Sequence, residues 1–70
     1  MQITLNGQDR TIDGLPQAPT VADLIAALAL KGDRIAVEQN GEIIPRSSWT
    51  ASPLSSGDKF EIVHFVGGGC

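Results

Sequence analysis

Three consecutive glycines, Gly67-Gly68-Gly69, followed by the only cysteine of the chain, Cys70, are the residues whose arrangement most directly invites chemistry. Glycine adds nothing to packing and carries the largest conformational entropy of any residue. Such a run is therefore either a flexible or added tail, or a segment shaped for a narrow channel in another protein. In the second case, a backbone without Cβ atoms is gripped by its own N–H and C=O groups, and a terminal carboxylate becomes the reactive group. The strand before the tail supplies a second signal. Phe60 and Ile62 fall on one face, Val63 and Phe65 on the other. One face serves a core. The other is either an exposed apolar patch suited to docking or is satisfied by local side chains.

The remaining chemistry-bearing residues are weaker candidates. His64 is the only histidine and has no nucleophile or orienting acid beside it, which predicts a surface or edge-strand residue. Asp58 and Glu61 read as solvated charges or as a rim that meets basic residues of a partner. One His and one Cys cannot fill a typical zinc site, and a single Cys makes no internal disulfide.

The elements that must position the tail follow from periodicity and turn chemistry. Met1, Ile3 and Leu5 alternate with polar residues, Asn6-Gly7 supplies a tight hairpin turn, and Gln8–Ile12 is the returning strand. Pro16 and Pro19 interrupt regular structure. Thr20 is the expected N-cap of a helix over Val21–Leu30, with Asp23 at its third position and Val21, Leu24, Ile25 and Leu28 forming the apolar stripe. Gly32 is expected to end that helix in the left-handed region. Ile35–Gln39, the turn Asn40-Gly41 and Glu42–Ile44 form a second hairpin. Arg46–Ser56 is a polar connection anchored in the core by Trp49 and Leu54, and Gly57-Asp58 leads into a last strand, Lys59–Val66. The order ββαββ predicts an α+β chain, with one helix covering one face of a mixed four- or five-strand sheet and the first and last strands adjacent at its centre. That is the β-grasp, or ubiquitin-like, architecture. The expected division is a domain over 1–66 and a glycine-rich tail over 67–70.

Composition bounds the function. Seventy residues, 41% hydrophobic and 19% charged, describe one small globular domain with little room for both a core and a catalytic pocket. Five basic against eight acidic residues give a net charge of −3, which disfavours nucleic acid as a partner. The start lacks a secretory pattern and Val21–Leu30 is far too short for a membrane span. The expectation is a cytoplasmic protein with no membrane partner.

The runs Ile35-Ala36-Val37-Glu38-Gln39-Asn40-Gly41-Glu42-Ile43-Ile44-Pro45-Arg46, Leu54-Ser55-Ser56-Gly57-Asp58-Lys59-Phe60-Glu61-Ile62-Val63 and Val66-Gly67-Gly68-Gly69 together resemble the ThiS family of sulfur carriers. Ile3-Thr4-Leu5-Asn6-Gly7 and the helix match as well, so the resemblance covers the whole chain. It implies a carrier and not an enzyme, with no bound cofactor. ATP would be used by an E1-like adenylyltransferase of the ThiF type to adenylate the carboxylate of Gly69. A persulfide relay fed by a cysteine desulfurase would then leave a thiocarboxylate, whose sulfur goes to a thiazole synthase of the ThiG type for thiamine biosynthesis. Gly67 and Gly68 would be the threaded tail, and Val63, Phe65 and Val66 the docking residues. Related carriers for molybdopterin synthesis or tRNA thiolation, a ubiquitin-like protein modifier, and a non-conjugating binding module share this architecture. Cys70 departs from the family pattern, because it locks the Gly69 carbonyl in a peptide bond. A peptidase that removes it is the favoured expectation, with an artificial addition or a functional thiol as the alternatives.

Overall fold

The computed structural model describes residues 1–65. Five strands, β1 (Gln2–Leu5), β2 (Gln8–Thr11), β3 (Ile35–Gln39), β4 (Glu42–Ile44) and β5 (Lys59–His64), form one mixed sheet in the order β2-β1-β5-β3-β4. A single α-helix, α1 (Val21–Ala27), supplies the covering layer. The two edge hairpins close through Asn6-Gly7 and Asn40-Gly41, whose four residues all have positive φ. This is the turn chemistry whose twist matches a hairpin. β1 and β5 run parallel at the centre, with Leu5 opposite Phe60, as the ββαββ order requires. These features are those of the ubiquitin-like β-grasp.

The core follows the alternation of the strands. Ile3, Leu5, Ile35, Val37, Phe60 and Ile62 point to one side of the sheet and meet Val21, Leu24 and Ile25 of α1. Trp49 and Leu54, from the connection after β4, close the core and are buried as expected. Part of that connection, Arg46–Ala51, is a 3-10 helix that packs against α1. The Trp49 indole N–H donates to the carbonyl of Ile44 at 2.9 Å, so the ring is buried without an unsatisfied donor.

The helix begins as expected and ends differently. Thr20 and Asp23 form a reciprocal capping box, each side chain accepting from the other's backbone N–H. The helix stops at Ala27, three residues short of Leu30, and the left-handed residue is Ala29 (φ 56°), not Gly32. Leu30 N–H donates to Ile25 C=O and Ala29 N–H to Ala26 C=O, the paired bonds of a Schellman ending. Gly32 instead opens a short 3-10 turn, Gly32–Arg34. A Cβ there would stand 2.9 Å from the Trp49 ring, so glycine is required by close packing and not by helix termination. Because Ala29 holds a conformation that disfavours a Cβ, Ala29→Gly should stabilise the fold by about 0.5–1 kcal/mol. Thermal unfolding should show a midpoint raised by roughly 2–8 °C; an unchanged or lower midpoint would count against the strain.

Candidate functional site

The residues expected to act lie at and beyond the end of β5. Val66, Gly67, Gly68, Gly69 and Cys70 fall outside the described residues, so the structure bears on the root of the tail and on the surface beside it.

That root is held from both sides. β1 turns away after Leu5, but the side chain of Asn6 continues its ladder. Its Oδ1 accepts from the Ile62 N–H at 2.8 Å, and its Nδ2 donates to the Ile62 carbonyl at 3.3 Å. On the other side the Phe65 N–H donates to the Arg34 carbonyl at 2.8 Å, one residue before β3 begins. The last described residue is therefore still fastened to the sheet.

The start of β5 is fixed by a second polar cluster. Asp58 accepts from the side chains of Gln39 (3.0 Å) and Asn40 (3.1 Å) and from the Ser55 N–H (2.8 Å). Asn40 in turn accepts from the Lys59 N–H at 2.9 Å. Asp58 is thus a fastener between the β3–β4 hairpin and β5, not the solvated charge its sequence context suggests. Partial burial pushes its carboxyl up, but the three hydrogen bonds, from Asn40, Ser55 and Gln39, together hold it below the ordinary carboxylate value. A depressed folded-state pKa means that the unfolded chain binds the proton first. The stabilisation is therefore fully present above about pH 5 and lost as the pH falls through the folded value, below about 4. Urea midpoints measured against pH should fall over that window in the wild type. In Asp58→Asn they should be lower at neutral pH and flatter in acid. Parallel curves for the two proteins would remove Asp58 from the acid dependence.

The sheet face turned away from α1 carries the apolar residues expected to dock. Val63 and Phe65 are 57% and 59% exposed, which decides against their being satisfied by local side chains. Sequence reasoning missed a third member. Ile43 on β4 is 73% exposed, and its pairing with Glu38, opposite Glu61, sets it on the same face. The signal was the doublet Ile43-Ile44. Successive strand residues point to opposite faces, so with Ile44 paired to Val37 toward the core, Ile43 must face out.

His64 is exposed on the opposite, helix-bearing side. It lines a shallow cavity of about 180 Å³ with Asn6, Arg10, Leu28 and Leu30. Among the described residues no carboxylate or hydroxyl lines that cavity to orient or accept from the imidazole, and none of them forms a catalytic pair with it. Among the described residues no group of three His, Cys, Asp or Glu side chains is placed to hold a metal ion, and no helix is long and apolar enough to cross a membrane.

Comparison with known proteins agrees with this geometry. The ThiS family profile matches residues 3–69. A thiazole synthase of Paramagnetospirillum magneticum is 39% identical over 69 residues, which are 99% of this chain but only 20% of that protein. The chain thus spans about one fifth of the length of that relative. The sulfur carrier protein ThiS of Bacillus subtilis is 39% identical over 67 residues, covering 96% of this chain and 98% of that one. The crystal structure of the thiamine biosynthesis protein ThiS from Geobacter metallireducens superposes with a TM-score of 0.81 at 36% identity, over 99% of this chain and 100% of that one.

Proposed function

The chain belongs to the ThiS family, and from that premise we propose that it is a sulfur carrier for the formation of the thiazole of thiamine, acting as a cosubstrate of partner enzymes. The observation that carries this reading is that the family match runs through the glycine tail to Gly69, beyond a strand end fastened on both sides by Asn6 and Arg34.

Gly69 is the proposed reacting residue. Its carbonyl is joined to Cys70, so hydrolysis of that peptide bond by a peptidase comes first and exposes the carboxylate. A carboxylate is a poor electrophile. In an E1-like adenylyltransferase, one of its oxygens attacks the α-phosphorus of ATP, pyrophosphate leaves, and an acyl-adenylate results. The terminal sulfur of a persulfide, supplied by a cysteine desulfurase, then attacks the carbonyl carbon and displaces AMP. A thiol cleaves the acyl disulfide so formed, leaving the thiocarboxylate and a disulfide. Gly67 and Gly68 pass through the enzyme's channel, while Val63, Phe65 and Val66 rest on its surface. Thiazole synthase is the proposed acceptor of the sulfur. The occurrence of a region like this one within a larger thiazole synthase supports that pairing. All these steps belong to the cytoplasm in this reading.

The test is a reconstituted reaction followed by intact mass. A chain ending at Gly69, given ATP, the adenylyltransferase and a sulfur donor, should exchange one oxygen for sulfur. The same chain still carrying Cys70 should be inert until that residue is removed. If the chain ending at Gly69 stays unmodified, the carrier reading fails.

A further inference from the structure

The uncovered sheet face is not uniformly apolar. Glu38 on β3 and Glu61 on β5 are directly opposite each other across the central ladder. Ile43 pairs with Glu38 on its other side, and Ala36 and Val63 pair two residues further on. Two carboxylates therefore sit side by side, with Ile43 next to Glu38 and with Val63 and Phe65 two and four residues beyond Glu61 on the same face. Lys59 lies on the same face two residues before Glu61, beside Thr4 of β1. Like charges placed directly opposite in a sheet oppose folding, and nothing in the core depends on either residue.

We infer that this face docks on an apolar patch of the activating adenylyltransferase that carries an arginine or lysine, the cation seating between Glu38 and Glu61. The inference rests on the carrier reading above and specifies the chemistry of its first partner. An enzyme that brings a carboxylate tail and the phosphates of ATP together must concentrate positive charge around the tail's entry. The face lies immediately before that tail in the chain. An arginine fork suits paired carboxylates, and apolar surroundings that exclude water strengthen the contact. Other occupants fit worse. A second copy, also of net charge −3, would set four carboxylates against one another, and nucleic acid or an anionic lipid surface would be repelled.

The experiment titrates the purified adenylyltransferase with wild-type protein, Glu38→Gln, Glu61→Gln and Phe65→Asp by calorimetry at low and high salt, with a thermal melt of each variant. Each Glu→Gln change should weaken binding about tenfold and reduce its salt dependence. The same two changes should hold or raise the melting midpoint, because repulsion across β3 and β5 is relieved. A merely structural role would not separate the two readouts in that way. If the glutamine variants bind like wild type while Phe65→Asp does not, the face docks without a cation and the inference is overturned, with the carrier reading intact. If all three variants bind like wild type, the face is not the interface. Self-association of the wild type that Phe65→Asp removes would assign the face to a second copy, which also overturns it. If wild type neither binds nor, when ended at Gly69, takes up sulfur, the carrier reading itself falls and the inference falls with it.

Discussion

Deleting Gly68 and Gly69 will abolish sulfur loading completely while leaving the thermal midpoint nearly unchanged. The two halves of this result have separate causes. In the proposed reaction, loading requires a carboxylate that can reach the adenylating centre, and a chain shortened by two glycines lacks both the reach and the residue proposed to react. Stability depends on the buried cluster, whose members among the described residues run from Ile3 to Ile62. The deletion removes none of them, so the change in folding free energy should stay within about 0.5 kcal/mol, the range of surface substitutions. Intact mass after the reconstituted reaction and a thermal melt of the same preparation check both halves. Residual loading would show that Gly69 is not the reacting residue. A midpoint lowered by many degrees would show that the tail belongs to the folded unit.

The largest effect on folding should come from Phe60→Ala. Phe60 is 1% exposed at the centre of the sheet, in the strand that joins both halves of the ladder. Removing a buried phenylalanine side chain costs about 3–5 kcal/mol in lost transfer energy and residual cavity. A 70-residue chain has a total stability of roughly 3.5–10 kcal/mol at the usual 0.05–0.15 kcal/mol per residue. The variant should therefore lose a large share of its stability, with a thermal midpoint lowered by roughly 12–40 °C. Phe65→Ala is the matched control, made in the same chain segment on the opposite face at 59% exposure. It should cost less than about 0.5 kcal/mol of stability while weakening association with the adenylyltransferase. Circular dichroism melts distinguish the two variants. If Phe65→Ala destabilised as much as Phe60→Ala, Phe65 would be a packing residue and the docking face would lose its largest member.

The contrast between these two phenylalanines also shows where sequence reading succeeded. Alternation along Phe60–Phe65 separates the faces without any structure, because the two-residue period of a strand is a local property. The same holds for both Asn-Gly turns and for the Thr20–Asp23 cap, whose partners lie within a few residues of one another. The reading of the helix end failed at Gly32 because glycine has two distinct uses. It releases a left-handed backbone, and it admits a neighbouring ring. The sequence contains no mark that tells which of these applies. The fold does, because it sets the Trp49 ring where any Cβ on residue 32 would come within 2.9 Å of it. Asp58 was misread for a similar reason, since its donors Gln39 and Asn40 come from another hairpin.

By itself the sequence determined the strands, the turns, the start of the helix and the ββαββ order, all of which rest on short-range periodicity and backbone preference. The carrier reading of the glycine tail came from the resemblance of the whole chain to the ThiS family. Tertiary structure alone decided that Asn6 would clip β5 at Ile62, a partner 56 residues away, and that Ile43 would join Val63 and Phe65 on one open face. It alone set Glu38 opposite Glu61. Each of these depends on the register between strands distant in sequence. A slip of one residue would reverse every face, and what holds the register is burial of the whole apolar set against α1.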